Sequence, residues 1–385
     1  MKNVLSSIWN LIDKNDSKEF NKIGKNGIKF RKVDDTGIQI NIDDVNVALD
    51  SWFPKADIVF ISHGHSDHIC SSFFKSDNES SNERVNYNQN LICSKITKEI
   101  IEKISRKKIR IKEEKWILGN NLKNFQNMKY KNINIELIEN GHAPGSLALF
   151  INGLSSIFFT GDFISEDRVL EDGTIISNGL KPRKCDYLII DCTFASPFYS
   201  FPRFEENLRS LRRFMSKQFE NGNGVIILAY KYGKSQEILK ILDDEHPIFL
   251  ENSVAKITRI ISDNGVEFPS WKPYSSTNKN KILEQGPFVL ILPPHSIYRD
   301  PYGQIAASER VKVVLPSGKV LNPSFRTEFP NCDLYLPLSD HCGFKELCDF
   351  VDACDPNTII LHSGRVEEFY YYLSKKYKNK DINVL

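Results

Sequence analysis

Short apolar segments alternate with polar turns along the first half of the chain, and this pattern predicts strands. Each segment is rich in β-branched residues and is bounded by residues that favour turns, as strands of a packed sheet are. Apolar positions at three- and four-residue spacing predict helices over residues 96–105, 205–219 and 234–242. The predicted strands cover residues 45–49, 58–61, 133–138, 147–151, 157–160 and 187–190.

The pattern changes between residues 196 and 335, where predicted helices and strands alternate. A strand over residues 225–228 precedes the helix that begins after Gly233. Such alternation is typical of an α/β domain built on a parallel sheet. We therefore predict an α/β protein in which a second domain, residues 196–335, is inserted between two parts of a first domain, residues 1–195 and 336–385.

A dense histidine motif follows the predicted strand 58–61. Residues 63–68 read His-Gly-His-Ser-Asp-His, so six positions hold four potential metal ligands. Side chains at alternate positions of an extended segment point the same way, so His63 and His65 can converge on one ion while Asp67 and His68 turn towards a second. Imidazole and carboxylate ligands suit zinc, although ligand type alone leaves manganese and iron open.

Further candidate site residues follow apolar segments or lie in the turns beside them. Asp162 follows the predicted strand 157–160, where its carboxylate could bridge two metal ions about 4 Å apart. Two other histidines, His246 and His295, lie next to prolines and are interpreted as turn residues. The candidates of this group are His142, Asp162, His341 and His362.

The order of these motifs resembles the metallo-β-lactamase fold and, in its later part, the β-CASP nucleases of that fold. The histidine motif, His142 and the Thr-Gly-Asp step at 160–162 resemble the metal-binding motifs of metallo-β-lactamases. Residues 191–194, residues 339–341 and His362 resemble β-CASP motifs. Residues 229–236 and residues 339–341 look closest to the motifs of ligase-associated DNA exonucleases and of archaeal relatives that process RNA. The resemblance implies a metallo-β-lactamase αβ/βα sandwich with an inserted α/β β-CASP domain.

The resemblance also implies a role for each site residue. Asp50 would stand behind the histidine motif and orient it. His341 would act as general acid beside the leaving group, and Asp191 would orient it and favour its protonated form. Two zinc ions, with manganese as an alternative, would be held in three groups of ligands: His63, His65 and His142 on one ion, Asp67, His68 and His362 on the other, and Asp162 bridging both.

A possible phosphate-binding turn follows the predicted strand 225–228. No glycine stands five residues before Gly233, so the GxxxxGK loop of nucleoside-triphosphate-binding proteins is absent and binding of such nucleotides is not expected. Lys234 and Ser235, at the predicted start of a helix, remain candidates for holding a nucleic-acid phosphate. Lys319 stands where relatives often carry tryptophan, which puts aromatic stacking by that tryptophan in doubt.

Composition excludes several classes of protein. With 385 residues, 41% hydrophobic and 26% charged, the chain is typical of a globular protein and not of a disordered or fibrous one. No apolar stretch approaches a membrane span and no signal-like segment begins the chain, which predicts a cytoplasmic protein without membrane contact. Its eight cysteines form no CxxC pair and are expected to be reduced.

The net charge of +2 makes no global case for nucleic-acid binding. Two local basic patches, residues 105–112 and 375–380, are interpreted as solvated faces. A polar segment, residues 75–90, predicts a surface excursion, and the amphipathic segment 5–12 is expected to pack on the core or on another subunit.

The leading hypothesis is a zinc-dependent nuclease that cuts single-stranded nucleic acid, as a 5′-to-3′ exonuclease in DNA repair. An RNA-processing endo- or exoribonuclease of the same family is the first alternative, because the sequence does not distinguish DNA from RNA. A small-molecule metallo-hydrolase such as a lactamase or thioesterase, and an inactive scaffold, are further alternatives. The long insertion argues against the former, and the complete set of ligands argues against the latter. The oligomeric state stays open.

Overall fold

The computed structural model describes residues 28–33, 36–53, 55–69, 89–105, 116–119 and 128–385. Several expectations from the sequence fall on other residues. They concern the amphipathic segment 5–12, most of the polar segment 75–90, most of the basic patch 105–112, and Cys70, all of which lie outside the described residues.

Among the described residues, the first sheet has six strands, which stand in the order in which they occur along the chain. They are β1 (Lys29–Lys32), β2 (Ile38–Ile42), β3 (Val45–Leu49), β4 (Ile58–Phe60), β5 (Asn90–Ser94) and β6 (Trp116–Gly119). The first three run antiparallel, and β3 to β6 run parallel. Asp43 and Asp44, with φ of 50° and 60°, form the tight turn between β2 and β3. Helix α1 (Lys95–Ser105) follows β5.

The second sheet has seven strands and mixes both directions. Its strands are β7 (Met128–Tyr130), β8 (Ile133–Glu139), β9 (Leu147–Asn152), β10 (Ser156–Phe159), β13 (Tyr187–Asp191), β20 (Thr358–His362) and β21 (Asp381–Val384). Strands β7 to β10 are antiparallel, whereas β10, β13, β20 and β21 are parallel neighbours. A separate hairpin pairs β11 (Arg168–Val169) with β12 (Ile175–Ser177).

The third sheet is wholly parallel. Its order is β16-β15-β17-β14-β18-β19, made by β14 (Gly224–Leu228), β15 (Ile248–Leu250), β16 (Lys272–Pro273), β17 (Val289–Leu292), β18 (Val311–Pro316) and β19 (Leu334–Leu336). The helices of this part are α2 (Phe204–Glu220), α3 (Lys234–Ile241), α4 (Asn252–Asp263), α5 (Lys279–Glu284), α6 (Tyr302–Ala306) and α7 (Pro323–Thr327). Separate apolar clusters cover the two faces of the sheet, as a parallel sheet requires.

The first two sheets pack face to face with helices outside. Phe60 from β4 meets Phe159 from β10 edge to face, with ring centroids 6.1 Å apart, inside one apolar cluster that both sheets share. Ile101 of α1 packs on the outer face of the first sheet. Helices α8 (Phe344–Cys354) and α9 (Val366–Lys376) cover the outer face of the second sheet, where Leu347 and Phe369 are buried. The layers are therefore those of the predicted αβ/βα sandwich.

All strands of the third sheet come, in sequence, between β13 and β20, which are neighbours in the second sheet. Strands β13 and β20 pair in parallel with Asp191 opposite His362, although 170 other residues separate those two positions in the sequence. This connectivity agrees with an inserted α/β unit. We retain the division into residues 1–195, 196–335 and 336–385 as a proposal.

The predicted secondary structure is confirmed element by element. Each predicted strand and helix is present, and its ends differ from the prediction by at most one residue. The helix predicted over residues 205–219, for example, is α2, which buries Leu208, Leu211 and Met215 on one side. Within the described ranges, no helix is both long and apolar enough to cross a membrane.

Candidate metal centre and active site

The candidate site forms where strands of both sandwich sheets end. The histidine motif, residues 63–68, follows β4 after two residues. Asp162 comes shortly after β10, and Asp191 and His362 are the last residues of β13 and β20. Because β10, β13 and β20 are parallel neighbours, their carboxyl ends meet at one edge of the sheet. His142 reaches the same place from the turn between β8 and β9.

Three histidines and one aspartate converge there. His65 Nδ1 lies 2.8 Å from His63 Nε2 and 3.1 Å from His142 Nε2. Asp162 Oδ2 lies 3.7 Å from Nε2 of both His63 and His142. One donor atom from each of the four residues falls within 4.8 Å of all the others. Nitrogen and carboxylate donors at this spacing fit a zinc-like ion.

Hydrogen bonds determine which nitrogen each histidine offers. His65 Nε2 lies 3.1 Å from the Tyr232 carbonyl oxygen, and His142 Nδ1 lies 2.9 Å from the Asp340 carbonyl oxygen. His63 Nδ1 lies 2.9 Å from Ser62 Oγ. A ring nitrogen that donates to a carbonyl leaves the other one free with its lone pair. The nitrogens left free are the three that converge.

Burial keeps these imidazoles neutral, which is the form that binds metal. Burial and the neighbouring histidines hold the pKa of His63 well below its usual range. Burial, with His142 adding to it, lowers the pKa of His65 to about 4. The pKa of His142 is also lowered, first by burial and then by His341. The donor set therefore fits a metal ion in charge as well as in geometry.

Asp50 supports the histidine motif from behind. Its fully buried carboxylate accepts hydrogen bonds from the backbone N–H and the hydroxyl of Ser62, both at 2.7 Å. Its Oδ2 also lies 2.8 Å from His68 Nδ1, while His68 Nε2 lies 3.2 Å from Asp162 Oδ2. Burial opposes the charged form of His68, but the carboxylates of Asp162 and Asp50 outweigh it and raise the pKa of His68 well above its usual range.

The residues assigned to a second ion are less tightly gathered. His362 is buried, and neither of its ring nitrogens finds a hydrogen-bond partner within the described ranges. Buried polar atoms without a partner indicate a missing ligand. Burial, together with the charge of His68, lowers the pKa of His362 to about 4. The Asp67 side chain is exposed, although it faces the same cleft, so the grouping of Asp67, His68 and His362 on one ion stays a prediction.

His341 and Asp191 form a separate pair beside the metal ligands. His341 Nδ1 lies 2.8 Å from Asp191 Oδ2, and its ring centroid is 4.6 Å from that of His142. Thr193 holds the other Asp191 oxygen through its N–H at 2.9 Å and its hydroxyl at 2.7 Å. Burial disfavours the charged ring, but Asp191 and Asp162 raise the pKa of His341 to about 9. His341 therefore carries two protons at neutral pH.

All of these groups open onto one cavity, which we call the main cleft. It has a volume of about 730 Å³. The ligands His65, His142 and Asp162 face it together with His341. Its far wall comes from loops of the third sheet, including Tyr230, Lys231, Ser317 and Lys319. The candidate metal centre thus faces a cleft whose volume lies in the range of ligand-binding sites.

Comparison with known proteins points to one family of enzymes. No family model matches the chain. It is 24% identical over 336 residues to a probable DNA ligase of Opitutus terrae, covering 85% of this chain and 29% of that protein. It is 24% identical over 331 residues to the 5′ exonuclease Apollo of Gallus gallus, covering 82% and 61%. It is 26% identical over 250 residues to the probable RNase MJ4 of Methanocaldococcus jannaschii, covering 59% and 55%.

The chain is a homologue of the β-CASP metallo-β-lactamase nucleases. It spans less than two thirds of the length of these three relatives. A crystal structure of a protein of unknown function from Enterococcus faecalis matches 91% of this chain and 94% of its own, with a TM-score of 0.55 at 15% identity, and it bears on the fold alone.

Lys234 and Ser235 do not offer this β-CASP homologue an open phosphate site. The Lys234 side chain is buried and its ammonium pairs with Glu237, which also pairs with Arg168. The Ser235 hydroxyl donates to the carbonyl of Tyr230 at 2.7 Å. The geometry does not favour the phosphate-binding role, which stays a prediction. Sequence reasoning missed Arg168 and Glu237, because nothing in the spacing of these residues links them.

The remaining polar features predicted for the β-CASP homologue lie away from the metal centre. In the basic patch 375–380, Lys376 pairs with Asp352 and Lys380 with Asp355, so much of its charge is neutralised. His246 packs on Phe219 from an irregular loop, as expected, whereas His295 packs on Phe329 from within a short 3-10 helix, Pro294–Tyr298. Sequence reasoning also missed the carbonyls of Tyr232 and Asp340, because backbone atoms carry no sequence signal.

Proposed function

We propose that the protein is a metal-dependent nuclease that hydrolyses phosphodiester bonds of single-stranded nucleic acid, as a 5′-to-3′ exonuclease in DNA repair. One observation carries the proposal: the buried rings of His63, His65 and His142 converge with Asp162 in a cleft that also holds the His341–Asp191 pair. A phosphodiester needs its negative charge neutralised and its leaving oxygen protonated, and this arrangement provides for both. Relatives named as a DNA ligase and a 5′ exonuclease support the DNA assignment.

We assign two zinc ions to the site, with manganese as the alternative. His63, His65 and His142 would hold one ion, and Asp162 would contact both. The second ion would use Asp67, His68 and His362, and would give one of the two unpartnered ring nitrogens of His362 a partner. Bound metal ions neutralise a phosphate and make water a stronger nucleophile near neutral pH. Asp50 keeps the histidine motif in place through Ser62 and His68.

His341 supplies the proton for the leaving group. Asp191 occupies Nδ1, so the proton on Nε2 is the one free to move. As water adds to phosphorus it releases one proton to the solvent, the P–O bond breaks, and the departing oxygen takes the Nε2 proton. A proton from the solvent then restores the charged His341 ring. Asp191 stabilises the charged ring before transfer and keeps its orientation afterwards.

The decisive experiment measures cleavage of matched DNA and RNA oligonucleotides, single- and double-stranded, with and without a 5′ phosphate. We expect chelator-sensitive shortening of single strands from the 5′ end, with about two zinc ions per chain by metal analysis. Asp162→Asn should abolish most of the activity, whereas Asp172→Asn, at an exposed aspartate outside the cleft, should not. Hydrolysis of a lactam or thioester without cleavage of any strand would contradict the proposal.

RNA is the second candidate substrate, because one relative is named as a probable RNase and another as an endoribonuclease. The same oligonucleotides distinguish the two. Faster cleavage of RNA than of DNA at equal length would assign the protein to RNA processing.

A further inference from the structure

The rim of the main cleft carries an exposed tyrosine between two exposed lysines. Tyr230 is 40% exposed, and its ring faces the cleft together with Lys231 and Lys319. The Lys319 ammonium lies over this ring, 5.8 Å from its centroid. Within the described ranges, neither lysine has a carboxylate at ion-pair distance. The Tyr230 ring and the Lys319 ammonium therefore meet at the rim, and Lys231 lines the same cleft.

The backbone below this ring is held firmly. The Tyr230 carbonyl accepts hydrogen bonds from the hydroxyl and the N–H of Ser235, at 2.7 and 3.2 Å. The Lys231 carbonyl accepts one from the Gln236 amide at 3.2 Å. An exposed ring on a rigid backbone loses little entropy when it stacks on a ligand.

The same segment leads to the metal centre. Tyr232, two residues after Tyr230, receives the His65 Nε2 hydrogen bond on its carbonyl oxygen. Tyr230 is therefore joined to the candidate metal centre by two residues of backbone and lines the same cleft as His65 and His142.

We propose that Tyr230 forms a stacking subsite for an unpaired nucleobase, and that Lys231 and Lys319 contact the adjoining phosphates. The inference rests on the proposed nuclease function and narrows its substrate to strands that can present an unstacked base. Stacking on an aromatic ring is tolerant of base identity, whereas the bases of a duplex stay covered on both faces. DNA and RNA share this chemistry, so the subsite selects for single strands and not for the sugar.

The test combines protein variants with abasic strands. Wild type, Tyr230→Ala and Tyr230→Phe are compared on a series of single strands of DNA and of RNA. Each strand lacks one base, and the abasic position moves by one nucleotide from the 5′ end in successive strands. For wild type, KM should rise about tenfold when the stacked base is missing. Tyr230→Ala should show this higher KM on the intact strand and no further rise on the abasic one. Tyr230→Phe, which keeps the ring, should behave as wild type does.

Tyr298→Ala is the matched control, because that tyrosine is 59% exposed and does not face the main cleft. It should leave KM unchanged. Equal abasic penalties in wild type and Tyr230→Ala at every position would overturn the stacking subsite while the nuclease stands. Wild type that neither binds nor cuts any strand would overturn the proposed function and the subsite with it.

The phosphate contacts proposed for Lys231 and Lys319 are tested by a separate measurement. Binding of a fluorescent single strand is measured at several salt concentrations, and the slope of log K against log salt should become shallower by about 0.7 for each phosphate contact removed. We expect this for Lys231→Ala and for Lys319→Ala. An unchanged slope in both variants would remove the phosphate contacts from the proposal.

Discussion

Each histidine of the metal centre keeps one ring nitrogen for a ligand because another group takes the other nitrogen. The carbonyls of Tyr232 and Asp340 orient His65 and His142, and Ser62 orients His63. Three neutral rings packed together cost stability when no metal is bound, because their free nitrogens face one another without a proton between them. His341 differs, because Asp191 holds it in the charged form.

The neutral histidines make the metal-free protein sensitive to acid. His65 and His362 have a pKa of about 4, against about 6.5 in an unfolded chain. Between those values the unfolded state binds more protons, so the free energy of unfolding decreases as pH falls from about 6.5 to about 4. Urea unfolding with chelator present should show a lower midpoint at pH 4.5 than at pH 7. A midpoint that does not change between pH 7 and pH 4.5 would contradict the lowered pKa values of His65 and His362.

The role of His341 as proton donor can be tested with two substrates that differ in their leaving group. His341→Ala should lower kcat on an oligonucleotide by about 10²- to 10⁴-fold, because its departing alkoxide needs a proton. The loss should be much smaller on a p-nitrophenyl phosphodiester, whose leaving group departs as a stable anion. Steady-state kinetics on both substrates gives the comparison. Equal losses on the two would show that His341 acts in some other way.

At the scale of elements, three parallel strands of one sheet supply the carboxyl-end residues of the site. The turn after β20 must pass very close to β13 for this to happen. At Gly364, where φ is +67°, an added Cβ would lie 2.3 Å from Thr193 Cα and 2.5 Å from the Cys192 carbonyl oxygen. Only glycine fits there, and this close approach keeps His362 beside Asp191.

Replacing Gly364 should therefore lower the free energy of unfolding by more than the strain of a positive φ alone would. We expect Gly364→Ala to lower the free energy of unfolding by about 3 kcal/mol, because the added methyl group collides with backbone atoms. Gly173→Ala is the control: its φ is also positive, but nothing lies within 4 Å, and a loss of about 1 kcal/mol is expected. Urea unfolding measures both. Equal losses would show that space around Gly364 is not limiting.

At the scale of the whole molecule, a buried group of charges joins the third sheet to the sandwich. Glu237 on α3 pairs with Lys234 on the same helix and with Arg168 on β11. Arg168 also donates to the Ser339 carbonyl, and the Ser339 hydroxyl accepts from the His341 N–H at 3.0 Å. The burial of Glu237 opposes its charge, but Arg168 and Lys234 lower its pKa below the usual range. The loop that carries His341 is thus held by charges from both parts of the chain.

Replacing the Glu237 carboxylate should lower the free energy of unfolding, because the buried cations Lys234 and Arg168 would lose the anion that they share. Glu237→Gln removes the carboxylate that Lys234 and Arg168 share and leaves Lys234 with only the longer-range charge of Asp340, so we expect a loss of about 3 kcal/mol in the free energy of unfolding. Asp349→Asn breaks an exposed pair with Lys345 and should cost less than about 1 kcal/mol. A small loss for Glu237→Gln in urea unfolding would mean that water reaches the two cations.

Local pattern was enough to predict the secondary structure and to single out His63, His65, His142 and Asp162, which the structure brings together. The strand 58–61 and the histidine motif after it could both be predicted, because each is recognised from residues that are adjacent in the sequence. The phosphate-binding role of Lys234 and Ser235 was drawn from the same kind of local pattern, and burial now argues against it. Whether a lysine at a helix start faces solvent depends on distant residues: Arg168, 66 positions earlier in the chain, shares the Glu237 carboxylate with Lys234, and no local pattern contains that information.

The sequence by itself determined the residue types of the metal centre, the strands that deliver them and the family that they resemble, because periodicity and motif spacing are properties of adjacent residues. Only the tertiary structure decided which ring nitrogens converge, since the carbonyls that orient His65 and His142 lie 167 and 198 residues away. It also decided that Lys234 is buried while Tyr230 is exposed at the cleft, because burial follows from contacts between sheets that are distant along the chain.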